Sequence, residues 1–367
     1  MSSVLFFEHP TASDQRVAEI RLNAEKSLNA LTLEMIDLIF PQLEKWRDDP
    51  RISMVFLDSA GEKAFCAGGD VVKLYRAITE ETESRFPEDF FTREYRLDYL
   101  LHTYPKPVIC WGSGIVMGGG MGLLSGCSHR VVTETSYLAM PEVTIGLYPD
   151  VGGSWFLNRM PGRTGLFLGL TGNPINAADA LFLGLGDRAI RKDLRDDLLQ
   201  HLQASTWEKP ATQVIDAILR ELEVQSVDTF ADMSAPIKEH QSLIRELMDK
   251  DSVADILAGF TAIETDDKWV LRAKKALLQG SPVSVHMIAK QLASSRHLSL
   301  KEVFQQELNL SVQCCRHREF PEGVRALLVD KDNQPQWTFA SVDEVDSAFI
   351  DSLFESPWSG KHPLQDL

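Results

Sequence analysis

The chain lacks an excess of basic residues and lacks a cysteine framework, and each absence excludes a class of function. It has 37 lysines and arginines against 53 aspartates and glutamates, a formal net charge of -16 over 367 residues. Non-specific binding to nucleic acid or to an anionic membrane requires a basic surface, so we expect neither partner. The five cysteines form no C-x-x-C pair, which argues against a zinc site and predicts reduced thiols in a cytoplasmic protein.

We also expect no secretory signal, because "MSSVLFFEHPTASDQ" has no basic segment and no long apolar core. One uncharged run of twenty residues, 108–127, is long enough to cross a membrane and contains G-x-x-x-G spacings. This run holds seven glycines and only two leucines. We therefore predict a strand, a loop and a helix there rather than a membrane span.

Glycine is unevenly distributed, with nineteen of the 23 glycines in residues 1–190. Strands alternate with helices in this part, which predicts an α/β core over residues 1–200. The later sequence has helical periodicity, so we predict a mainly helical region over 201–367 that packs on the core. Strands are predicted near 4–8, 15–22, 52–57, 108–112, 129–133 and 137–139. Helices are predicted near 32–48, 71–78, 87–103, 119–126, 152–159, 163–170 and 176–183, the first of them kinked or ended by Pro41.

Two glycine-rich turns lie between an apolar strand and a helix. The first is "KAFCAGGDV" (63–71) and the second is "GSGIVMGGGMGL" (112–123). Such turns bring the backbone close to a ligand, and the N–H groups at a helix N-terminus suit an oxyanion or a phosphate. Two alternatives remain open from the pattern alone: a tight turn with Asp70 as a helix cap, and a weak dinucleotide-binding motif in the second turn.

Two carboxylates follow prolines in "MPEVTIGLYPDVGG" (140–153), and the segment between them has no charge. A carboxylate in an apolar loop has a raised pKa and can act as a general acid or base near neutral pH. Glu142 and Asp150 are therefore candidate catalytic residues. Two other interpretations stay open: both are solvated loop acids, or Asp150 caps the helix that follows it.

Taken together, these motifs resemble the enoyl-CoA hydratase/isomerase, or crotonase, superfamily. The segments that carry the likeness are "LNALTLEMI" (28–36), "KAFCAGGDV", "GIVMGGGMGL" (114–123) and "MPEVTIGLYPDVGG". The resemblance implies a crotonase fold of stacked ββα units, followed by a helical C-terminal region that could form a homo-oligomer. Two further segments, "FPEDFFTREYRLDYLL" (86–101) and "EGVRALLVDKDNQPQW" (322–337), are similar to the 3-hydroxyisobutyryl-CoA hydrolase family within that superfamily.

The superfamily resemblance implies an acyl-CoA substrate whose thioester carbonyl is bound by two backbone N–H groups. By position these N–H groups belong to Gly69 and Gly119. Three further residues match positions whose backbone flanks the CoA moiety: Ala64, Ala67 and Gly68. Lys26 and Lys63 are candidates for binding the CoA phosphates.

The positions at which this chain departs from the superfamily pattern indicate whether it catalyses hydration or hydrolysis. Hydratases of this superfamily use two glutamates, and this chain has Gly122 at the first position and Glu142 at the second. It also has Asp150 where hydratases usually have glycine. Glu94 matches a substrate-contacting position of the hydrolases. The alternative for Glu94 is that it faces water, as a glutamate on an amphipathic helix more often does. The resemblance implies hydrolysis of 3-hydroxyisobutyryl-CoA or a close 3-hydroxyacyl-CoA, a step in valine catabolism, without a metal or redox cofactor. Alternatives are an enoyl-CoA hydratase or isomerase, an NAD-dependent oxidoreductase and a non-catalytic CoA-binding protein.

Overall fold

The structure is a computed structural model that describes residues 2–80 and 85–367. The chain forms two compact units, and each unit draws on three segments of sequence. The first unit contains the chain up to Gly69, Leu97–Leu138 and Ile175–Ala235. The second unit contains Asp70–Arg96, Ala139–Pro174 and Pro236–Leu367.

The described residues contain nine strands, seventeen α-helices and five short 3₁₀ or π-helical turns. The strands are β1 Val4–Pro10, β2 Arg16–Leu22, β3 Ile52–Ser59, β4 Ala64–Cys66, β5 Val108–Gly112, β6 Ile115–Met117, β7 His129–Val132, β8 Tyr137–Ala139 and β9 Arg188–Ala189. The helices are α1 Leu33–Asp48, α2 Val71–Thr79, α3 Phe86–His102, α4 Gly119–Gly126, α5 Gly153–Leu157, α6 Thr164–Thr171, α7 Ala177–Leu183, α8 Arg195–Ala204, α9 Ala211–Phe230, α10 Pro236–Glu239, α11 Gln241–Met248, α12 Val253–Ala262, α13 Lys268–Gln279, α14 Pro282–Ser295, α15 Leu300–Arg316, α16 Glu319–Val324 and α17 Ser347–Leu353.

Two sheets organise the first unit. The larger sheet has six strands in the order β1-β2-β3-β5-β7-β9, and only β1 runs antiparallel to its neighbour. The smaller sheet has the order β4-β6-β8, with β4 and β6 parallel. Helices α8 and α9 cover one face of the larger sheet, where Phe56 and Trp111 pack against Leu198 and Leu219. This buried apolar layer fixes β3 and β5, the strands that precede β4 and β6 along the chain.

Helices dominate the second unit. Helix α6 packs against α5, α11, α13 and α14, and its Phe167 stacks on Phe260 and Trp269 with ring centroids 6.3 and 5.2 Å apart. Helix α15 contacts α5, α16 and α17. A capping box at its start, in which Ser299 and Glu302 exchange hydrogen bonds with each other's backbone, fixes where this long helix begins.

The six predicted strands and seven predicted helices are observed within a few residues of their predicted ends. Helix α1 is capped by Thr32 and continues through Pro41 to Asp48, so of the two alternatives for this proline, a kink or an end of the helix, the end is wrong. Within residues 2–80 and 85–367, no helix is long and apolar enough to span a membrane. The uncharged run forms β5, β6 and α4 instead. The division at residue 200 stays a prediction.

Candidate active site

Both glycine-rich turns lie at one edge of the smaller sheet of the first unit. Strands β4 and β6 are parallel, with Ala64 opposite Ile115 and Cys66 opposite Val116. Because parallel strands end at the same edge, the turns that follow Cys66 and Met117 start side by side. Gly68 has a φ of 116° and Gly118 a φ of 46°, which are backbone conformations that favour glycine.

Two backbone N–H groups of these turns donate to no backbone carbonyl in the part of the chain that the structure describes. Gly119 is the first residue of α4, so its N–H has no acceptor within the helix. The turn at Gly69 is held instead through the preceding carbonyl, because Gly68 accepts a hydrogen bond of 2.8 Å from the Leu31 N–H. Among the described residues, no backbone carbonyl accepts from the Gly69 N–H. Paired free N–H groups of this kind can stabilise an oxyanion.

Close packing between the turns leaves no room for a side chain at Gly120. A Cβ atom there would lie 2.4 Å from the Cys66 carbonyl oxygen and 2.9 Å from the Cys66 Cβ. Both contacts are with a buried strand that cannot move aside without breaking the β4–β6 pairing. The glycine therefore sets the distance between the two turns.

We expect Gly120→Ala to destabilise the protein and distort both turns. Overpacking against buried backbone typically costs about 1–3 kcal/mol. A lower midpoint of urea unfolding is the expected result. Gly360→Ala is the matched control, since a Cβ there meets nothing within 4 Å. If both variants unfold at the wild-type urea concentration, the close packing does not constrain the turns.

The residues predicted to bind CoA differ in whether their polar groups are already hydrogen-bonded within the fold or accessible to a ligand. The Ala64 carbonyl already accepts hydrogen bonds from Asn29 and Ser59, at 3.0 Å each, so it is engaged within the fold. Ala67 is half-buried and donates its N–H to the Leu28 carbonyl. Lys26 and Lys63 are both exposed, so their ammonium groups are accessible to solvent and to an anion.

Glu142 is buried in the second unit, with 5% of its surface exposed. It begins a 3₁₀ turn, Glu142–Ile145, directly after Pro141. Its Oε2 atom has no hydrogen-bond partner among the described residues. Burial, followed by the charge of Asp150, raises the pKa of Glu142 well above the usual value for a glutamate. A carboxyl group with this environment can accept or hold a proton near neutral pH.

Asp150 is also buried, with 5% of its surface exposed, and it does not cap the helix that follows. Its Oδ2 atom accepts a hydrogen bond of 2.7 Å from the Tyr95 hydroxyl. The N-cap position of α5 is Gly152, which has no side chain to contribute. Burial raises the pKa of Asp150 to about 6, although the Tyr95 hydrogen bond opposes the rise. The interpretation of Asp150 as a helix cap is therefore wrong.

Glu94 lies on α3 and is 2% exposed, so it does not face water as a glutamate on an amphipathic helix usually does. Burial and the nearby charge of Asp150 raise its pKa well above the usual value. Within the second unit, the structure thus brings the three predicted carboxylates together, and the charge of Asp150 raises the pKa of the other two. Their interpretation as solvated acids is wrong.

Four residues around Asp150 were not predicted from the sequence. Tyr95 and Tyr148 adjoin predicted site residues, so their position in the motifs was an available signal. Glu307 and Ser311 lie four residues apart on α15, and their spacing is that of any helix face. Glu307 is fully buried and accepts hydrogen bonds from the Gly152 N–H at 2.7 Å and the Ser154 hydroxyl at 2.6 Å.

No group of three or more histidine, cysteine, aspartate or glutamate side chains within the described part of the chain could hold a metal ion. The second unit also has a cavity of about 460 Å³ lined by residues of α5, α6 and α14, including Arg163 and Arg296. None of the predicted site residues lines this cavity.

Comparison with known proteins places these features in context. Residues 17–354 match the family model described as enoyl-CoA hydratase/isomerase. The mitochondrial 3-hydroxyisobutyryl-CoA hydrolase of Danio rerio is 37% identical over 339 residues, and that of Homo sapiens is 36% identical over 342 residues. Each alignment covers 92% of this chain and 86% of the relative.

Two solved structures share the fold over nearly the whole chain. One is described as an enoyl-CoA hydratase from Rhodobacter sphaeroides 2.4.1, with a TM-score of 0.83 and 31% identity over 97% of this chain and 98% of the other. The second is described as a carnitinyl-CoA dehydratase from Mycobacterium thermoresistibile, with a TM-score of 0.87 and 32% identity over the full length of both chains.

The expectation of a cytoplasmic protein is contradicted by these relatives, because the hydrolases of Danio rerio, Gallus gallus and Homo sapiens are described as mitochondrial. That expectation came from the cysteine pattern and from the lack of a secretory signal. Both features argue against export through an oxidising compartment, and neither separates the cytosol from the interior of an organelle.

Proposed function

Because the chain belongs to the enoyl-CoA hydratase/isomerase family, we propose that it hydrolyses the thioester of 3-hydroxyisobutyryl-CoA, or of a close 3-hydroxyacyl-CoA. The products are the free hydroxy acid and CoA. The likeness to 3-hydroxyisobutyryl-CoA hydrolases extends over 92% of the chain and supports this choice within the family. A place in valine catabolism forms part of the proposal and depends on the identity of the acyl group.

One observation carries the proposal. Two buried carboxylates with raised pKa values, Glu142 and Asp150, lie in the second unit, where the charge of Asp150 contributes to the raised pKa of Glu142. The position at which hydratases of the superfamily carry their other glutamate is Gly122, which has no acid–base group. A pair of acids in this arrangement suits the addition of water to a carbonyl better than addition across a double bond.

The proposed mechanism gives separate roles to backbone and side chains. The N–H groups of Gly69 and Gly119 polarise the thioester carbonyl and stabilise the tetrahedral oxyanion. Glu142 drives the attack, either as a nucleophile that forms a mixed anhydride or as a general base on water. Asp150 binds the 3-hydroxyl group of the substrate or transfers protons. Glu94 helps to hold the acyl end.

In this proposal the residues predicted around CoA bind the invariant part of the substrate. The backbone of Ala67 and Gly68, beside Ala64 in β4, flanks the pantetheine and nucleotide portion. Lys26 and Lys63 neutralise phosphates, which a chain of net charge -16 requires locally. We also propose a homo-oligomer, as relatives of this superfamily imply, and sedimentation velocity would measure its size.

A panel of acyl-CoA thioesters tests the proposal directly. Thiol release is measured with 3-hydroxyisobutyryl-CoA, 3-hydroxypropionyl-CoA, isobutyryl-CoA and acetyl-CoA. We expect the 3-hydroxyacyl substrates to have the highest kcat/KM, since a site with a buried hydroxyl acceptor discriminates against substrates without the hydroxyl. Equal or greater release from isobutyryl-CoA would contradict the proposed acyl specificity.

A second candidate is enoyl-CoA hydration or isomerisation. The structural likeness to proteins described as an enoyl-CoA hydratase and a carnitinyl-CoA dehydratase favours it. Gly122 argues against it, because the acid that would exchange a proton with the substrate carbon is missing there. NAD(H) binding and a purely structural CoA-binding role are not supported by an observation of comparable weight.

We further propose that the reaction needs no metal or redox cofactor, because the N–H groups and carboxylates supply the electrostatic stabilisation and the proton transfer. Dialysis against EDTA is therefore expected to leave kcat for CoA release unchanged. The measurement compares dialysed enzyme with enzyme dialysed in parallel without chelator. Loss of activity with EDTA, restored by one added divalent cation, would show that a metal takes part.

A further inference from the structure

The Asp150 carboxylate is bound by a chain of three hydroxyl groups within the second unit. The Tyr95 hydroxyl donates to Asp150 Oδ2 at 2.7 Å and lies 2.6 Å from the Ser311 hydroxyl. Ser311 lies 2.8 Å from the Tyr148 hydroxyl, which donates to the Glu307 carbonyl oxygen at 2.6 Å. Tyr95, Tyr148 and Ser311 are all fully buried, so solvent does not compete for these hydrogen bonds.

The number of protons on these hydroxyl groups determines which hydrogen bonds the groups can form with one another. Each hydroxyl has one proton to donate. With Asp150 ionised, Tyr95 donates to the carboxylate and Tyr148 donates to the carbonyl, so the single Ser311 proton has two acceptors. With Asp150 protonated, every contact from Asp150 to the carbonyl holds one proton if Asp150 donates to Tyr95, Tyr95 to Ser311 and Ser311 to Tyr148, while Tyr148 continues to donate to the carbonyl. The series of hydroxyl groups ends at the Glu307 carbonyl oxygen, which takes up no proton. These hydroxyl groups therefore orient Asp150 without carrying protons to solvent.

Helix α15 also holds the backbone that follows Asp150. Val151 has a φ of 52°, a conformation that a β-branched residue rarely adopts, and Gly152 has a φ of 82°. The buried Glu307 carboxylate accepts hydrogen bonds from the Gly152 N–H and the Ser154 N–H, at 2.7 and 3.1 Å. The strained turn is thus fixed on one side by Glu307, while the Asp150 side chain is fixed on the other by Tyr95.

We propose that Tyr95 is a positioning residue for Asp150: its hydroxyl, held by Ser311 and Tyr148, fixes the direction of the carboxylate and favours its ionised form. The functional part of this inference rests on the proposed hydrolysis, in which Asp150 receives the substrate 3-hydroxyl. An ionised and oriented carboxylate is the form that accepts a hydrogen bond from that hydroxyl. Helix α15 thereby contributes to acyl recognition without supplying a group that touches the substrate.

The charge of Asp150 affects the pKa of several neighbouring titratable groups. The experiment must therefore distinguish the titration of Asp150 from the titration of these groups. They are Glu94 and Tyr95 on α3, Glu142, Tyr148, and Glu307, Cys314 and Cys315 on α15. Of these, Tyr95 alone lowers the pKa of Asp150 through a side-chain hydrogen bond. Removing the Tyr95 hydroxyl is therefore expected to raise the pKa of Asp150 above its value of about 6.

The test is the Tyr95→Phe variant of the full chain, with Tyr104→Phe as the matched control. Tyr104 also donates to a buried partner, the Leu43 carbonyl, in the first unit. A hydrogen bond to a charged group corresponds to a shift of about one to two pH units. We expect the acidic limb of kcat/KM for 3-hydroxyisobutyryl-CoA to move up by that amount in Tyr95→Phe, with most activity recovered at high pH. Tyr104→Phe should keep the wild-type profile.

A readout without turnover separates this inference from the proposed function. In protein carrying aspartate labelled with carbon-13 at the carboxyl, NMR follows the Asp150 titration, and Asp150→Asn identifies its signal. A higher titration midpoint in Tyr95→Phe supports the inference even if the wild type releases no thiol. An unchanged midpoint, or a pH-independent loss of activity, overturns it. If Tyr95→Phe does not fold, Ser311→Ala, which removes the group that holds the Tyr95 hydroxyl, must change the Asp150 titration midpoint in its place.

Discussion

Replacing Glu142 by glutamine is expected to lower kcat for CoA release from 3-hydroxyisobutyryl-CoA by about 10²–10⁴-fold, the usual contribution of a positioned acid or base. Glutamine keeps the size of the side chain but can neither attack the carbonyl nor accept a proton from water. Steady-state thiol release measures the effect. Since Glu142 Oε2 has no hydrogen-bond partner within residues 2–80 and 85–367, the change to an amide breaks no hydrogen bond at that atom.

The matched control is Glu208→Gln, a change at an exposed glutamate. We expect wild-type activity in this variant and wild-type thermal stability in both. A Glu142→Gln enzyme with near-wild-type kcat would remove Glu142 from the mechanism.

The two routes open to Glu142 differ in where the oxygen of water enters. If a mixed anhydride forms, turnover in ¹⁸O-water labels the Glu142 carboxylate over several cycles, because water attacks the enzyme acyl group. If Glu142 is a general base, label enters only the product acid. Mass spectrometry of the peptide that contains Glu142 distinguishes these results.

Asp150→Asn is expected to change substrate choice more than it changes the chemistry. Losing a charged hydrogen-bond acceptor costs about 1.5–3 kcal/mol, or roughly 10–150-fold in kcat/KM for a 3-hydroxyacyl-CoA. Isobutyryl-CoA has no hydroxyl to bind, so its kcat/KM should fall much less. The ratio of the two values is the measurement, and Asp251→Asn, at an exposed aspartate, is the control. Equal losses for both substrates would show that Asp150 does not bind the hydroxyl.

The same variant has a predictable pH signature. The charge of Asp150 raises the pKa of Glu142, in addition to the larger effect of burial. Asparagine removes that charge, so the pKa of Glu142 falls. Because Glu142 acts in its ionised form, the acidic limb of kcat should move to lower pH in Asp150→Asn. This shift concerns Glu142 and kcat, whereas the shift expected for Tyr95→Phe concerns Asp150 and kcat/KM, so the two variants report on different carboxyl groups.

Much of the fold and of the site chemistry could be predicted because the signals are local. The predicted α/β crotonase fold with a helical C-terminal region is confirmed. The turns at Gly69 and Gly119 follow apolar strands and contain glycines where the backbone needs them. Strands β4, β6 and β9 have two or three residues, too few to show a period, and were not predicted, although β8 of equal length to β4 and β6 was.

The surroundings of Asp150 could not be predicted for a different reason. Tyr95 is 55 residues from Asp150, and Ser311 is 216 residues from Tyr95. Helix α15 reads as an ordinary amphipathic helix, and nothing in its spacing distinguishes Glu307 from a glutamate that faces water. Such contacts depend on tertiary packing, which a single sequence does not encode in any local pattern.

The central claim is that this chain breaks a thioester rather than adding water to a double bond. The most direct measurement incubates the purified enzyme separately with 3-hydroxyisobutyryl-CoA and with crotonyl-CoA, and follows free thiol and the absorbance of the conjugated thioester in both. The account predicts rapid release of free CoA from 3-hydroxyisobutyryl-CoA and an unchanged conjugated absorbance with crotonyl-CoA. Loss of that absorbance without free thiol, together with no CoA release from the hydroxyacyl substrate, would contradict it.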